Sequence, residues 1–159
     1  MTKTTKTRKS SYGSFRSDTA AEIEGKVIDY GEFRVTIARA GGSNKAYNRL
    51  LESLTKPYRR AIQLETLPDA VSEKIMKEAL AKAVVLNWEL REVDEKTGAE
   101  TWSQGIEDPD TGDVLPFNAD NVLKVFQHPE VQNLYNDLNT MARKESLFLQ
   151  TRREEEGNA

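Results

Sequence analysis

Residues 72–90, SEKIMKEALAKAVVLNWEL, constrain the fold more than any other stretch. In the first half, Val71, Ile75, Ala79 and Ala83 recur every four residues, while Glu73, Lys74, Lys77 and Glu78 take the other side. In the second half, Leu80, Ala81, Ala83, Val84, Val85 and Leu86 are interrupted only by Lys82. An apolar stripe that widens to a full circumference predicts a helix entering the middle of its domain, closed by Trp88. The other elements are expected to pack around it.

On the N-terminal side, residues 26–30 and 33–38 are two β-prone runs joined at Gly31-Glu32. Val27, Phe33, Val35 and Ile37 alternate with Arg34 and Thr36, as in a hairpin with one buried face. Gly41-Gly42 breaks the chain, and Ser43 or Asn44 is placed to cap a helix over residues 44–64. Pro57 should end or kink that helix. On the C-terminal side, Asn118 caps a helix over residues 118–126, and His128-Pro129 opens a last one. Its apolar residues fall at Leu134, Tyr135, Leu138, Met141, Ala142 and Phe148, a helical stripe opposite Gln, Asn and Lys. Between these halves, residues 91–117 approach Thr97-Gly98 and Thr111-Gly112 through acidic residues. That pattern favours tight turns and predicts a small exposed acidic β-hairpin or meander, too polar to be core.

The expected fold is therefore mainly α with a small β component. It has an N-terminal β-hairpin, a helical core of about four helices, and the acidic hairpin inserted after the central helix. At 159 residues with 31% charged side chains, the chain fits one domain with a modest core, over residues 21–150. Residues 1–20, with Lys3, Lys6, Arg8, Lys9 and Arg16 and no acid before position 17, read as a disordered basic arm. Residues 151–159 read as a charged flexible tail.

A net charge of −3 is too small to argue for nucleic acid or membrane, and no run approaches the length needed to span a bilayer. With no signal-peptide core and no cysteine, the expectation is a soluble cytoplasmic protein without disulfides or thiolate metal sites. His128 has no nucleophile in a recognisable motif beside it and reads as a helix-start residue. Counted from Asp108, the sixth and twelfth places of a calcium loop fall on Asp113 and Ala119, so that pattern fails and an acidic turn is the better reading. Gly41-Gly42-Ser43 presents backbone N–H groups that suit an anion but lacks the lysine and spacing of a phosphate loop, so it is read as a hinge. Arg34, Arg39, Lys45, Arg49, Lys56, Arg59 and Arg60 make the first half basic. Phe33, Tyr47 and Tyr58 are interleaved as in a single-strand binder, yet each also fits the apolar face of its own element. The residues thus point to no catalytic, cofactor-binding or metal site.

Four passages, in order, resemble a family of phage tail assembly chaperones. They are GEFRVTIARAGG at residues 31–42 followed by NKAY at 44–47, AVVLNWE at 83–89, GDVLPFNADNVL at 112–123, and HPEVQNL at 128–134. The chain departs from the family's pattern over residues 91–111, which exceed its usual short acidic turn. The resemblance implies a non-enzymatic chaperone of the host cytoplasm, absent from the mature virion. It would bind the apolar, helical tape measure protein, keep it soluble and help recruit tail tube subunits; in many relatives a frameshift-extended form does the recruiting. The last helix, through Leu134, Tyr135, Leu138 and Met141, is the face expected to meet that partner, with Tyr135 and Met141 the better contacts. Its competing use is packing on the central helix. Two other readings make different predictions: a virion component such as a tail-completion or head–tail connector protein, present in fixed copy number, and a nucleic-acid-binding regulator with salt-sensitive DNA retention.

Overall fold

In the computed structural model, residues 7–149 are described. Six α-helices surround and flank a four-stranded antiparallel sheet of order β1-β2-β3-β4, with a separate two-stranded ribbon β5-β6. The expected class, helical with a β component, holds. The elements are α1 (Thr19–Glu24), β1 (Lys26–Asp29), β2 (Phe33–Ile37), α2 (Lys45–Thr55), α3 (Arg59–Gln63), α4 (Asp69–Ala83), β3 (Val85–Val93), β4 (Glu100–Gln104), β5 (Ile106–Glu107), β6 (Val114–Leu115), α5 (Ala119–Gln127) and α6 (Gln132–Arg143).

The central apolar run is two elements. It is helical only to Ala83, and from Val85 it is a strand at the middle of the sheet, paired with β2 and β4. A continuous apolar run does not distinguish a buried helix from a buried strand. Here the β-branched Val85 and the aromatic Trp88 favour the pleated surface. The register between β2 and β3 shifts between Thr36 and Ile37: Ile37 pairs with Val85, and Thr36 with Asn87. Leu86 is the extra residue of this bulge. The extra residue resets the alternation, so Val85, Trp88 and Leu90 all face inward although 85 and 88 differ in parity. Inside, Val35, Ile37, Leu80, Val84 and Trp88 are almost completely buried, with α2 and α5 packed on α4. The sheet's other face is polar: Arg34 bonds Glu89 at 3.0 Å and lies 4.3 Å over the Trp102 ring.

Asn44 fastens the helix-to-strand handover. Its Oδ1 accepts from the Tyr47 amide at 3.3 Å, capping α2, while its Nδ2 donates to the carbonyls of Arg39 and Ala83, both at 2.9 Å. Next to it, the Ala38 amide donates to the Val84 carbonyl at 2.8 Å. Pro57 sits, as its chemistry requires, in a 3-10 turn (Lys56–Tyr58) between α2 and α3.

Three further expectations are corrected. The basic arm is not disordered throughout: Asp18 caps α1, its amide donates to the Phe148 carbonyl at 2.8 Å, and Ser17 bridges Leu149. Residues 1–6 of the arm and the tail 151–159 lie outside the described residues. The acidic segment forms two hairpins rather than one insertion. The first extends the main sheet, and the second buries Ile106 completely. The last helix stops at Arg143, and Phe148 is buried from a separate 3-10 turn (Glu145–Phe148).

The loop after β2 does hold an anion, and the anion is the protein's own. Glu22, 1% exposed, accepts from the Ser43 amide and from Arg39, both at 3.1 Å. Gly42 has φ +54°, and a Cβ there would overlap the Glu22 carboxylate. Gly42→Ala is expected to destabilise the fold by about 2 kcal/mol in chemical denaturation. Asn44→Ala, which takes the partner from the buried Ala83 carbonyl and the partly buried Arg39 carbonyl and removes a cap, is expected to cost about 3 kcal/mol in the same measurement.

Candidate partner-binding surfaces

The four residues expected to form a contact face do not share one surface. Leu138 is fully buried and Tyr135 nearly so, its ring 5.3 Å from that of Phe126 with the Lys77 ammonium 5.2 Å away on its face. Burial raises the Tyr135 phenol above its usual range, with a further push from the Glu73 carboxylate. This half of the stripe packs inward because α6 must cover α5 and the core below it. Leu134 and Met141 are partly buried, and Leu134 lines a surface pocket.

That pocket, about 260 Å³, is an aromatic and aliphatic hollow with two carboxylates on its lining. The β1–β2 turn supplies Glu32, β2 supplies Phe33, and β3 supplies Trp88 and Leu90. Glu107 and Pro109 come from the ribbon and its turn, Val125 from α5, and Val131 and Leu134 from the entry to α6. Phe33 lies between Tyr30 and Trp88, with ring centroids 4.9 and 5.5 Å away and near-parallel planes. The Tyr30 hydroxyl donates to Asp137 at 2.5 Å, tying the turn to α6. Burial, and then that bond to a carboxylate, raise the phenol well above the ordinary tyrosine range.

The acidic turn of the ribbon is a built wall of this pocket. Asp108, 7% exposed, accepts from the Asp110 amide at 2.9 Å and from Lys124 at 3.1 Å. The backbone bond first, and Lys124 second, hold its carboxyl below the usual range. His128 caps the 3-10 turn Pro129–Val131 with Nδ1, which accepts from the Glu130 amide at 3.1 Å. Its Nε2 meets Asp110 at 2.7 Å. So Asp108 and Asp110 are occupied by protein partners. Among the described residues, no group of three or more His, Asp or Glu is placed to hold a metal ion.

A second apolar hollow, about 370 Å³, opens between α2–α3 and α4. Leu51, Ile62, Leu67, Ile75 and Met76 line it, with Thr55, Ser72 and Glu65 among the polar lining. Ile62 is 42% exposed, and Tyr58 and Leu64 beside it are exposed as well. Lys45, Arg49, Lys56, Arg59 and Arg60 are exposed along α2 and α3. Of the aromatics interleaved with them in sequence, Tyr47 is buried and Phe33 belongs to the stack, while Tyr58 is exposed.

Periodicity reached Leu134 but not Glu32, Glu107 or Pro109, which meet only through the β2–β3 register and the folded ribbon. The Asp-rich turn itself was a visible signal, and its attachment to Lys124 and His128 was not. Because the Asp108 carboxyl is depressed in the fold, its stabilisation is complete above the unfolded value near 3.8 and is lost as pH falls through the lower folded value. Asp108→Asn is expected to lower Tm at neutral pH, with the gap to the unsubstituted protein closing below that value in thermal melts.

With this geometry in place, comparison with known proteins gives one match: the YdaY prophage protein family, over residues 42–158. No curated protein and no solved structure matches the chain. The family match starts in the glycine loop after β2, takes in the helical hollow and all of the aromatic pocket's lining except Glu32 and Phe33, and spans well over half of the sequence. The chain belongs to the YdaY prophage protein family and is a protein of phage origin.

Proposed function

We propose that this prophage protein is a non-enzymatic tail assembly chaperone. It binds the tape measure protein in the host cytoplasm, keeps it soluble and helps bring tail tube subunits to it. Phage origin and the four ordered sequence passages support this reading. The observation that carries it is the open hollow between α2–α3 and α4, walled by Leu51, Ile62, Ile75 and Met76. A groove between helices with an adaptable methionine is the form of surface that accepts the apolar stripe of another helix. The contact face moves accordingly: α6 supplies packing, and the exposed apolar residues of α3 and its following turn supply contact.

Coexpression with the tape measure protein of the same prophage tests the proposal. The tape measure protein is expected to be soluble and to copurify with the chain. Ile62→Asp is expected to reduce the copurified amount about tenfold while moving stability by no more than about 0.5 kcal/mol, as an exposed substitution should. A tape measure protein equally soluble alone, or this chain at fixed copy number in purified virions, would overturn it.

A further inference from the structure

The aromatic pocket calls for a different occupant from the helical groove. We propose that it receives one arginine side chain, carried by an apolar segment of a partner polypeptide. The inference goes beyond the chaperone reading and holds whether or not that partner, a polypeptide other than a second copy of this chain, is the tape measure protein.

Size sets the first limit. At about 260 Å³ the hollow is smaller than a typical small-molecule site and suits a single large side chain. Its chemistry sets the second. The floor and walls are the stacked Phe33 and Trp88 with Leu90, Val125, Val131 and Leu134, an apolar surface for an aliphatic stem. Both ionisable residues on the lining are acids. Glu32 has an 85% exposed side chain and only a distant contact, 3.6 Å, with Arg91. Glu107 is exposed and, among the described residues, forms no ion pair. An apolar occupant would cover Glu107 with no partner for its carboxylate and leave Glu32 with Arg91 alone, which is unfavourable. An acidic occupant would be repelled. An arginine lays its aliphatic stem on the apolar wall and brings its guanidinium to the carboxylates, which its planar fork suits better than an ammonium does.

The pocket is also held in shape before any partner arrives. Asp110 on His128, Asp108 on Lys124 and Tyr30 on Asp137 fix three of its sides through side chains that do not themselves line it. Preorganisation of that kind lowers the ordering cost of binding.

Three synthetic helical peptides test this, sharing one leucine stripe and carrying arginine, glutamine or glutamate at the flanking positions. Affinities are measured by fluorescence anisotropy, and the site is mapped from the Trp88 indole and Phe33 amide resonances. The arginine peptide is expected to bind about tenfold tighter than the glutamine peptide and to shift both resonances, with the glutamate peptide weakest. In the Glu32→Gln/Glu107→Gln double variant, the arginine peptide should fall to the affinity of the glutamine peptide, whose own binding is unchanged. An unaltered Tm confirms that this variant is folded. Equal affinities for all three peptides would overturn the proposal, as would an arginine preference that survives the double substitution. Shifts confined to the surroundings of Ile62 would place the charge effect elsewhere and overturn it too. Self-association abolished by Glu107→Gln would do the same, by showing a second copy to be the occupant. None of these failures touches copurification with the tape measure protein, so the two ideas fall separately.

Discussion

The structure depends on how one buried amide side chain joins two kinds of secondary structure. Where α4 ends, the carbonyl of its last residue, Ala83, points into the protein. Asn44 satisfies Ala83 and Arg39 together while capping α2, and the Ala38 amide satisfies Val84. Three elements therefore meet at one 6% exposed residue. The helix can stop in the core because that residue meets its end, and the same backbone then continues as the middle strand of the sheet. Among the described residues, no buried side-chain nitrogen or oxygen lacks a hydrogen-bond partner. That is what a core assembled around a polar junction requires.

Local chemistry was legible where it was self-contained. The β1–β2 hairpin, the Asn44 and Asn118 caps, the break at Pro57 and the proline that opens the last helical segment each follow from a few neighbouring residues. The misses share a cause, since each depends on a distant partner. The run from Val85 becomes strand because β2 is there to pair with it. Residues 17–20 become ordered because Phe148 and Leu149 come back to meet them. Ile106 is buried in an otherwise acidic passage because the ribbon folds over β3. For the candidate site, periodicity found the stripe of α6 but not its orientation, and Leu138 and Tyr135 went inward for want of anything else to cover α5.

The acidic segment illustrates how a composition signal can mislead about role. Its clustered carboxylates look like a cation site, yet Asp108 and Asp110 each meet a basic or histidine partner within the fold and act as fasteners of the turn. Glu32 and Glu107, less conspicuous in sequence, reach an apolar hollow. Among the described residues are two open apolar recesses of different character. One is an open trough between helices suited to another helix's stripe, and the other is a compact aromatic box with negative edges. A polypeptide bearing apolar helices studded with arginine would satisfy both.

At the centre of the functional account is the claim that the partner is met by the folded domain as it stands, with α6 kept in the core. Hydrogen–deuterium exchange on the complex with the tape measure protein tests this most directly. The account predicts added protection in α3 and the N-terminal half of α4, and no loss of protection in α6. Deprotection of α6 around Tyr135 and Leu138 on complex formation would mean that the last helix leaves the core to embrace the partner, and would contradict the account.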